Sequence, residues 1–376
     1  MTIGSGATYA PITATGWSYI TGGINIVNST VSVVISPATD QIWDLYDNTL
    51  VYWQGNPPPY DNAVWYYNHT PPQVPLQGFQ QSRFCNPITQ NDAKSFLSTS
   101  VFPDPSNINS FPYLTNPWSV VTQAVNSVTQ GYTPTFHMPQ GNCGSPDQDG
   151  LMSVIEEDTN LAVDLYAPIV MPSPPPTFNP LVIAHAIGSF YDVKNGDGTG
   201  VWNGRRASLI PTIAGVIRYG EPTTTPDIPH ALSVIMAQSV MKNAAVWPAY
   251  GYDTSNSYGN CATCLPMGAL LAIPATTDLT TLGISTQEGM VIVRAAQKYG
   301  VYIVDTAIDP QNSPAMFFEA QLNNPDTGLQ AMATPGSAGG YDLTIIAKNL
   351  QLVTNNSAQN PGGPGTHTSM APPFSD

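Results

Sequence analysis

Basic residues are nearly missing from this chain: lysine and arginine together number 10 in 376 residues. With 25 acidic residues the formal net charge is −15, and charged residues of both signs make up 9%, against roughly 25% in an average soluble domain. No Lys/Arg stripe exists to neutralise phosphates, which excludes a nucleic-acid partner, and the same shortage argues against docking on anionic lipid. No run of eighteen apolar residues occurs, so no membrane span is expected. The first residues, MTIGSGATYAP, lack the basic and apolar regions of a secretory leader. Whole enzyme classes lose their signatures too: there is no HExxH, GxSxG, Walker loop or dinucleotide fingerprint. His137, His185 and His230 are spaced too widely for a zinc triad, so neither a metal nor an organic cofactor is expected.

What is present is apolar and aromatic. Hydrophobic residues make up 42%, with 18 Tyr, 11 Phe and 7 Trp. The surface must then be built from Asn, Gln, Ser, Thr, Pro, Gly and some exposed rings. Such a surface suits acid. When carboxylates are neutralised, a lysine-rich protein would carry unopposed positive charge, and this chain would not. An extracellular, acid-tolerant protein is the expectation, and sequons at Asn28, Asn68 and Asn355 permit it.

Four cysteines, Cys85, Cys143, Cys261 and Cys264, form an even set that fits disulfides. The CATC element at Cys261–Cys264 is open to three readings: a redox pair, half a metal site, or a loop staple. It lies between the loop-like GYDTSNSYGN and LPMG, which favours the staple, and thiolate ligands would compete poorly with protons in acid.

Short alternating runs with turn residues every ten or so positions predict an all-β-dominated fold, a β-sandwich or jelly roll with a few short helices. INIVNSTVSVVIS, LVIAHAIGSFYDV and VYIVDTA read as strands and QIWDLYDNTLVYWQG as a hairpin. IPHALSVIMAQSVM is open to a helix starting at Pro229 or, on its Val/Ile content, a strand, which is the reading taken. A short helix fits Trp118–Val128. The clearest helix runs from Thr286 to Tyr299, with Ser285 as N-cap, Glu288 three residues on, and Gly300 at its end. Residues 1–130 read as N-terminal strands and a Pro/Tyr-rich region packing on a main β-domain of 131–360, with 361–376 as a disordered tail. Two separate β domains divided near 130 are the rival.

The segment LMSVIEEDTNLAVDLYA, residues 151–167, predicts a hairpin turned at Thr159-Asn160. Met152, Val154, Val163 and Leu165 would share a core face. Glu157 and Asp164 would share the other, open face, lying diagonally about 7 Å apart. That spacing suits two carboxylates that divide acid and base work on a glycosidic bond.

Three arginines, Arg205, Arg206 and Arg218, crowd into NGRRASLIPTIAGVIRYGE at 203–221. In a chain so short of bases they are expected to brace acids, with Glu221, Asp227 or Asp305 as partners of Arg218. From here the chain resembles a widespread, poorly characterised family of secreted bacterial and archaeal proteins. The resemblance rests on Arg206-Ala207-Ser208, Gly215-Val216-Ile217-Arg218, Glu221, His230-Ala231-Leu232, Trp247-Pro248-Ala249, Pro266-Met267-Gly268, Tyr299-Gly300 and Asp305 in that order. It covers roughly residues 147 to 306. It implies that these positions are special and assigns them no roles. The CATC insertion and the PTTTPD turn after Glu221 depart from its pattern.

These strands of argument predict a secreted glycoside hydrolase acting on a neutral polysaccharide, with an endo-acting β-glucanase as the narrower form. Its catalytic carboxylates would come from Glu157, Asp164, Glu221 and Asp305. Trp202, Arg218, His230, Trp247, Tyr250 and Tyr252 would hold the sugar, since flat rings beside uncharged polar groups suit neutral glycans. The alternative is a non-catalytic extracellular carbohydrate-binding or adhesion protein.

Overall fold

The computed structural model describes residues 2–25, short strands between 31 and 192, and 206–368 apart from 219, 223–226, 254–257, 308–313, 321–326 and 333–336. The chain forms two compact units. One combines Met1–Ser29 with Val193–Asp376, and the other is Thr30–Asp192. The division therefore falls elsewhere than at 130, because the first strands pair with the last third of the chain rather than with their neighbours.

The first unit begins with β1 (Tyr9–Pro11) and β2 (Thr21–Asn25). The second holds β3 (Val31–Ile35), β4 (Gln41–Ile42), β5 (Asp44–Asp47), β6 (His137–Met138), β7 (Met152–Glu156) and β8 (Leu161–Tyr166). It continues with β9 (Ile169–Met171), β10 (Leu181–Ala184), β11 (Ala186–Ile187) and β12 (Tyr191–Asp192). The first unit then resumes with β13 (Leu232–Ala237), β14 (Met241–Ala245), β15 (Leu265–Met267) and β16 (Leu270–Ala272). Helix α1 (Gln287–Lys298), β17 (Val301–Ala307), β18 (Ala315–Glu319), α2 (Thr327–Met332), α3 (Ala338–Asn349) and β19 (Gln351–Val353) complete it. The described residues are thus strand-rich with few helices, as expected, and none of those helices is long and apolar enough to cross a membrane.

The first unit is organised by a seven-stranded mixed sheet, ordered β1-β19-β16-β17-β13-β18-β2, that curls into a half-barrel. Its centre, β13, runs parallel to β17 and antiparallel to β18. A strand covered on both faces needs a near-continuous apolar run, and LSVIMA supplies one. Leu232, Val234 and Met236 join Val301, Ile303, Met316 and Phe318 in the core, together with Val291, Ile292 and Ala296 of α1 and Leu343 and Ile346 of α3. Helix α3 presses onto β2 at Gly22, where a Cβ would stand 2.2 Å from the Leu343 carbonyl carbon.

Helix α1 starts one residue later than expected. Its N-cap is Thr286, whose hydroxyl accepts from Gly289 N at 3.0 Å, while Ser285 is drawn into another task. The fully buried Asp342 of α3 accepts from the backbone N–H and hydroxyl of both Ser285 and Thr286, at 2.6–3.0 Å, and so locks two helices together.

Residues 361–368 are not a free tail. Gly4 N donates to Gly362 O, Gly6 N to Pro364 O, and Thr368 N to the Thr2 hydroxyl at 3.1 Å. Gly362, Gly363 and Gly365 all have positive φ, and a Cβ at Gly4 would meet Gly363 O at 2.4 Å. The glycines that look like disorder signals are what lets the two ends approach. Residues 369–376 lie outside the described set, as do the expected helix at 118–128 and the far arm of the 41–55 hairpin.

In the second unit β7 and β8 form the expected hairpin, with the expected face assignment but a register moved by two. Glu156 pairs with Leu161, and Ile155 with Ala162. Asn-Gly-type chemistry for a two-residue turn is missing there. The face expected to be open carries the fully buried Ser153 and Asp164, directly opposite each other.

Candidate functional site

Of the described sequence-selected residues, Asp164 belongs to the second unit and the others to the first. Asp164 is buried in the second unit, where its carboxylate accepts a hydrogen bond from the Ser153 hydroxyl. Glu157, Trp202, Arg205, Cys85 and Cys143 lie outside the described residues. Asp164, expected on an open face, is buried against Ser153, and its expected diagonal partner Glu157 is among the residues not described.

Glu221, Arg218 and His230 do come together, before the N-terminal end of β13. Glu221 Oε2 accepts from Arg218 N at 2.8 Å and lies 3.1 Å from His230 Nε2, while His230 Nδ1 lies 2.9 Å from Ala231 O. Burial alone would raise the Glu221 carboxyl, but the His230 hydrogen bond and charge, with the Arg218 N–H and guanidinium, hold it below the usual range. Burial lowers Arg218, and the Glu221 charge partly offsets this. An acid held ionised by two bases is a poor proton donor. This cluster reads as a brace.

Arg206 answers for the second arginine. Its Nη1 donates to the carbonyls of Pro211 and Ala214 at 2.8 Å, and Nη2 to Thr212 O and Glu319 Oε2 at 2.6 Å. The guanidinium is buried and organises the 211–214 loop against the end of β18. A buried ion pair of this kind needs its other protons satisfied, and the loop carbonyls do that for Nη1 and Nη2, while Nε is buried without a partner.

Asp305 lies on β17, within electrostatic reach of Glu319. Between Val234 and Ile235 the β13–β17 register shifts, leaving Val304 as an extra residue on β17 and bringing Asp305 opposite Ile235. Bulges re-aim the side chain that follows. The Val304 carbonyl is taken by Ser208 N at 3.1 Å, and Asp305 Oδ1 accepts from Thr306 N at 2.8 Å and Ala207 N at 3.4 Å. Burial pushes the Asp305 carboxyl up to about 7; the charges of Glu319 and Asp253 add to this, and the two backbone N–H groups oppose it. Asp253, exposed beside the Thr306 hydroxyl, is also raised, by its own partial burial first, against the Thr306 hydrogen bond. Tyr258 is buried, and desolvation first, then the charges of Asp253 and Asp305, make it a weaker acid, against hydrogen bonding to Thr306 and the Asp253 backbone.

Aromatic residues stand on the loop that carries Asp253. Tyr250 N donates to Ser208 O at 3.0 Å, which ties the 247–253 loop to the strand of contacts that ends at Asp305. Tyr250 is 64% exposed and Tyr252 40%. Trp247 is half-buried, its carbonyl accepting from Asn356 Nδ2. Behind the loop, Cys261 and Cys264 are joined by a disulfide with Cα atoms 4.9 Å apart, a staple rather than an open dithiol. Thr263 adds a hydroxyl bond to Thr13 O at 2.9 Å.

Other elements of the motif order frame this region. Val246 N donates to Met267 O, Gly268 N to Ile303 O, and Leu232 N to Gly300 O. At Gly268, with φ +80°, a Cβ would strike Val246 O at 2.1 Å. Sequence reasoning passed over Asp253 and Glu319. Asp253 hid in a Gly/Asn/Ser-rich loop, and Glu319 had one signal, a charge closing the apolar strand AMFFE. Among the described residues no three His, Cys, Asp or Glu side chains are placed to hold a metal ion. No family model, curated protein or solved structure matches the chain.

Proposed function

We propose that this chain is an extracellular, acid-tolerant glycoside hydrolase acting on a neutral polysaccharide, with Asp305 as proton donor and Asp253 as its second carboxylate. The observation that carries the reading is the environment of Asp305. Its carboxyl keeps its proton to about pH 7 within reach of the charge of a more exposed acid, Asp253, whose loop also carries two solvent-exposed tyrosines. Perturbed carboxyls in such pairs are what general acid catalysis requires. In the step proposed, Asp305 protonates the glycosidic oxygen as the C–O bond breaks. Either Asp253 takes the proton of a water that adds to the anomeric carbon, or Asp253 itself bonds to that carbon and the now ionised Asp305 takes the proton of the water that hydrolyses the ester. The scarcity of charge around the rings fits a neutral chain rather than a uronic-acid polymer.

The test is reducing-sugar release from neutral glucans, mannans and xylans between about pH 2 and pH 7. Asp305→Asn should remove at least about 99% of activity on the responsive substrate, in line with the loss of a general acid. Asp253→Asn should do likewise, while Glu221→Gln changes it less than fivefold. Equal activity of wild type and Asp305→Asn would overturn the assignment.

A second reading has its own support. Glu221, Glu319 and Asp164 are each already committed to a neighbour, His230, Arg206 and Ser153. That pattern suits a non-catalytic carbohydrate-binding or adhesion protein. It is favoured if the wild type retains glycans on an affinity gel through Tyr250 and Tyr252 yet releases no reducing ends.

A further inference from the structure

The first unit also contains a cavity of about 760 Å³, and neither Asp305 nor any other candidate catalytic acid lines it. Its size falls in the range of small-molecule sites. One wall is the outer side of α1, which presents Arg294 and Lys298 one helical turn apart. The opposite wall is made by the two chain ends, from Ile3 to Tyr9 and at Thr366 and Thr368. Ile3 N donates to Lys298 O at 2.7 Å, and Thr368 N to the Thr2 hydroxyl, so both walls are fixed before any ligand arrives.

The charge balance in this cavity is unlike that of the molecule. Its charged lining residues are Asp227, Arg294 and Lys298, one acid against two bases, a local +1 in a chain of net −15. Arg294 Nε donates to Asp227 Oδ1 at 3.0 Å, which accounts for one charge of each sign. Lys298 is exposed, with Nζ 5.2 Å from the centroid of the Tyr299 ring, and its charge is the surplus. The rest of the lining is largely apolar, from Ile3, Ile228 and Pro274, with Tyr9 and threonine hydroxyls between. Two of the ten bases in the chain stand in one cavity, which a solvated helix face would not require.

We propose that this cavity binds a small organic monocarboxylate with an apolar body, its carboxylate on Lys298 and its carbon skeleton against Ile3, Ile228 and Pro274. One surplus cation matches one anion. The apolar floor favours a body that bare phosphate does not have, and the Asp227–Arg294 pair rejects a second negative charge by leaving no further cation free of a partner acid.

Isothermal titration of the full chain at about pH 6 uses three probes: hexanoate, its neutral analogue hexanamide, and inorganic phosphate. Hexanoate should bind at least tenfold more tightly than either of the others. Lys298→Met keeps the apolar stem of the side chain and should weaken hexanoate at least tenfold without changing the melting temperature. Thr276→Trp, at an exposed turn on the cavity edge, should block binding while leaving every charge in place. The proposal is overturned if hexanoate does not bind, if Lys298→Met binds it as well as wild type, or if phosphate competes on equal terms.

Discussion

Replacing Asp305 by asparagine should change how stability depends on pH, and the size of the change follows from its surroundings. In the unfolded chain this carboxyl ionises near its ordinary value of 3.8, whereas in the folded chain it holds its proton to about 7. Between those values the folded state binds one more proton than the unfolded state. Stability contributed by this group is complete below about pH 4 and is lost as pH rises to about 7, at about 1.4 kcal/mol per pH unit. The loss is at most about 4 kcal/mol, and the partial exposure of Asp305 reduces it further through solvent screening. Asparagine keeps an oxygen for Thr306 N and Ala207 N but cannot ionise. Urea unfolding at intervals from about pH 3 to pH 9 should therefore show the variant gaining on wild type across the window, then running parallel above it. Glu221 is lowered and acts with the opposite sign at acid pH, but it contributes equally to both proteins. A constant gap between the two curves would refute the claim that Asp305 is held protonated.

Glu319→Gln leaves the buried Arg206 guanidinium without its counter-charge and should cost about 3–5 kcal/mol in denaturant unfolding. It also removes a negative charge near Asp305, so carbon NMR of that carboxyl should report a midpoint below that of wild type. Gly22→Ala forces a methyl group into the α3 backbone and should lower stability by at least about 2 kcal/mol, with the loss seen first as faster amide exchange in α3. An unchanged exchange pattern would mean that α3 does not rest on β2 as described.

The elements legible in the sequence were those whose signal is local. VYIVDTA and the helix at 287–298 carry their periodicity or caps within a dozen residues and form within a residue of the reading, whereas LSVIMA suited helix or strand until the sheet placed it. Helix α3 was not legible because AGGYDLTIIAKN opens on two glycines with a weakly one-sided pattern. It is made by the Ser337 cap and by the slot that Gly22 leaves for it. The parallel pairing of β13 with β17 and of β2 with β18 joins segments far apart, and no turn residue announces it. The same reason governs the candidate site. Glu221 and His230, nine residues apart, could be linked on paper, whereas Asp305, Asp253 and Glu319 meet only through a bulge and a loop that the sheet places. The arginines were legible in kind: Arg206 and Arg218 both brace acids, though Arg206 chose Glu319, a partner 113 residues away.

The meeting of Thr2 with Thr368 has an engineering corollary. The covalent order of the polypeptide is not what holds this seam; a handful of amide and hydroxyl contacts does. A ring-closed version, joined there by a few glycines and opened at the surface turn around Thr276, should adopt the same sheet. Its new ends would then border the cavity floor rather than close its wall.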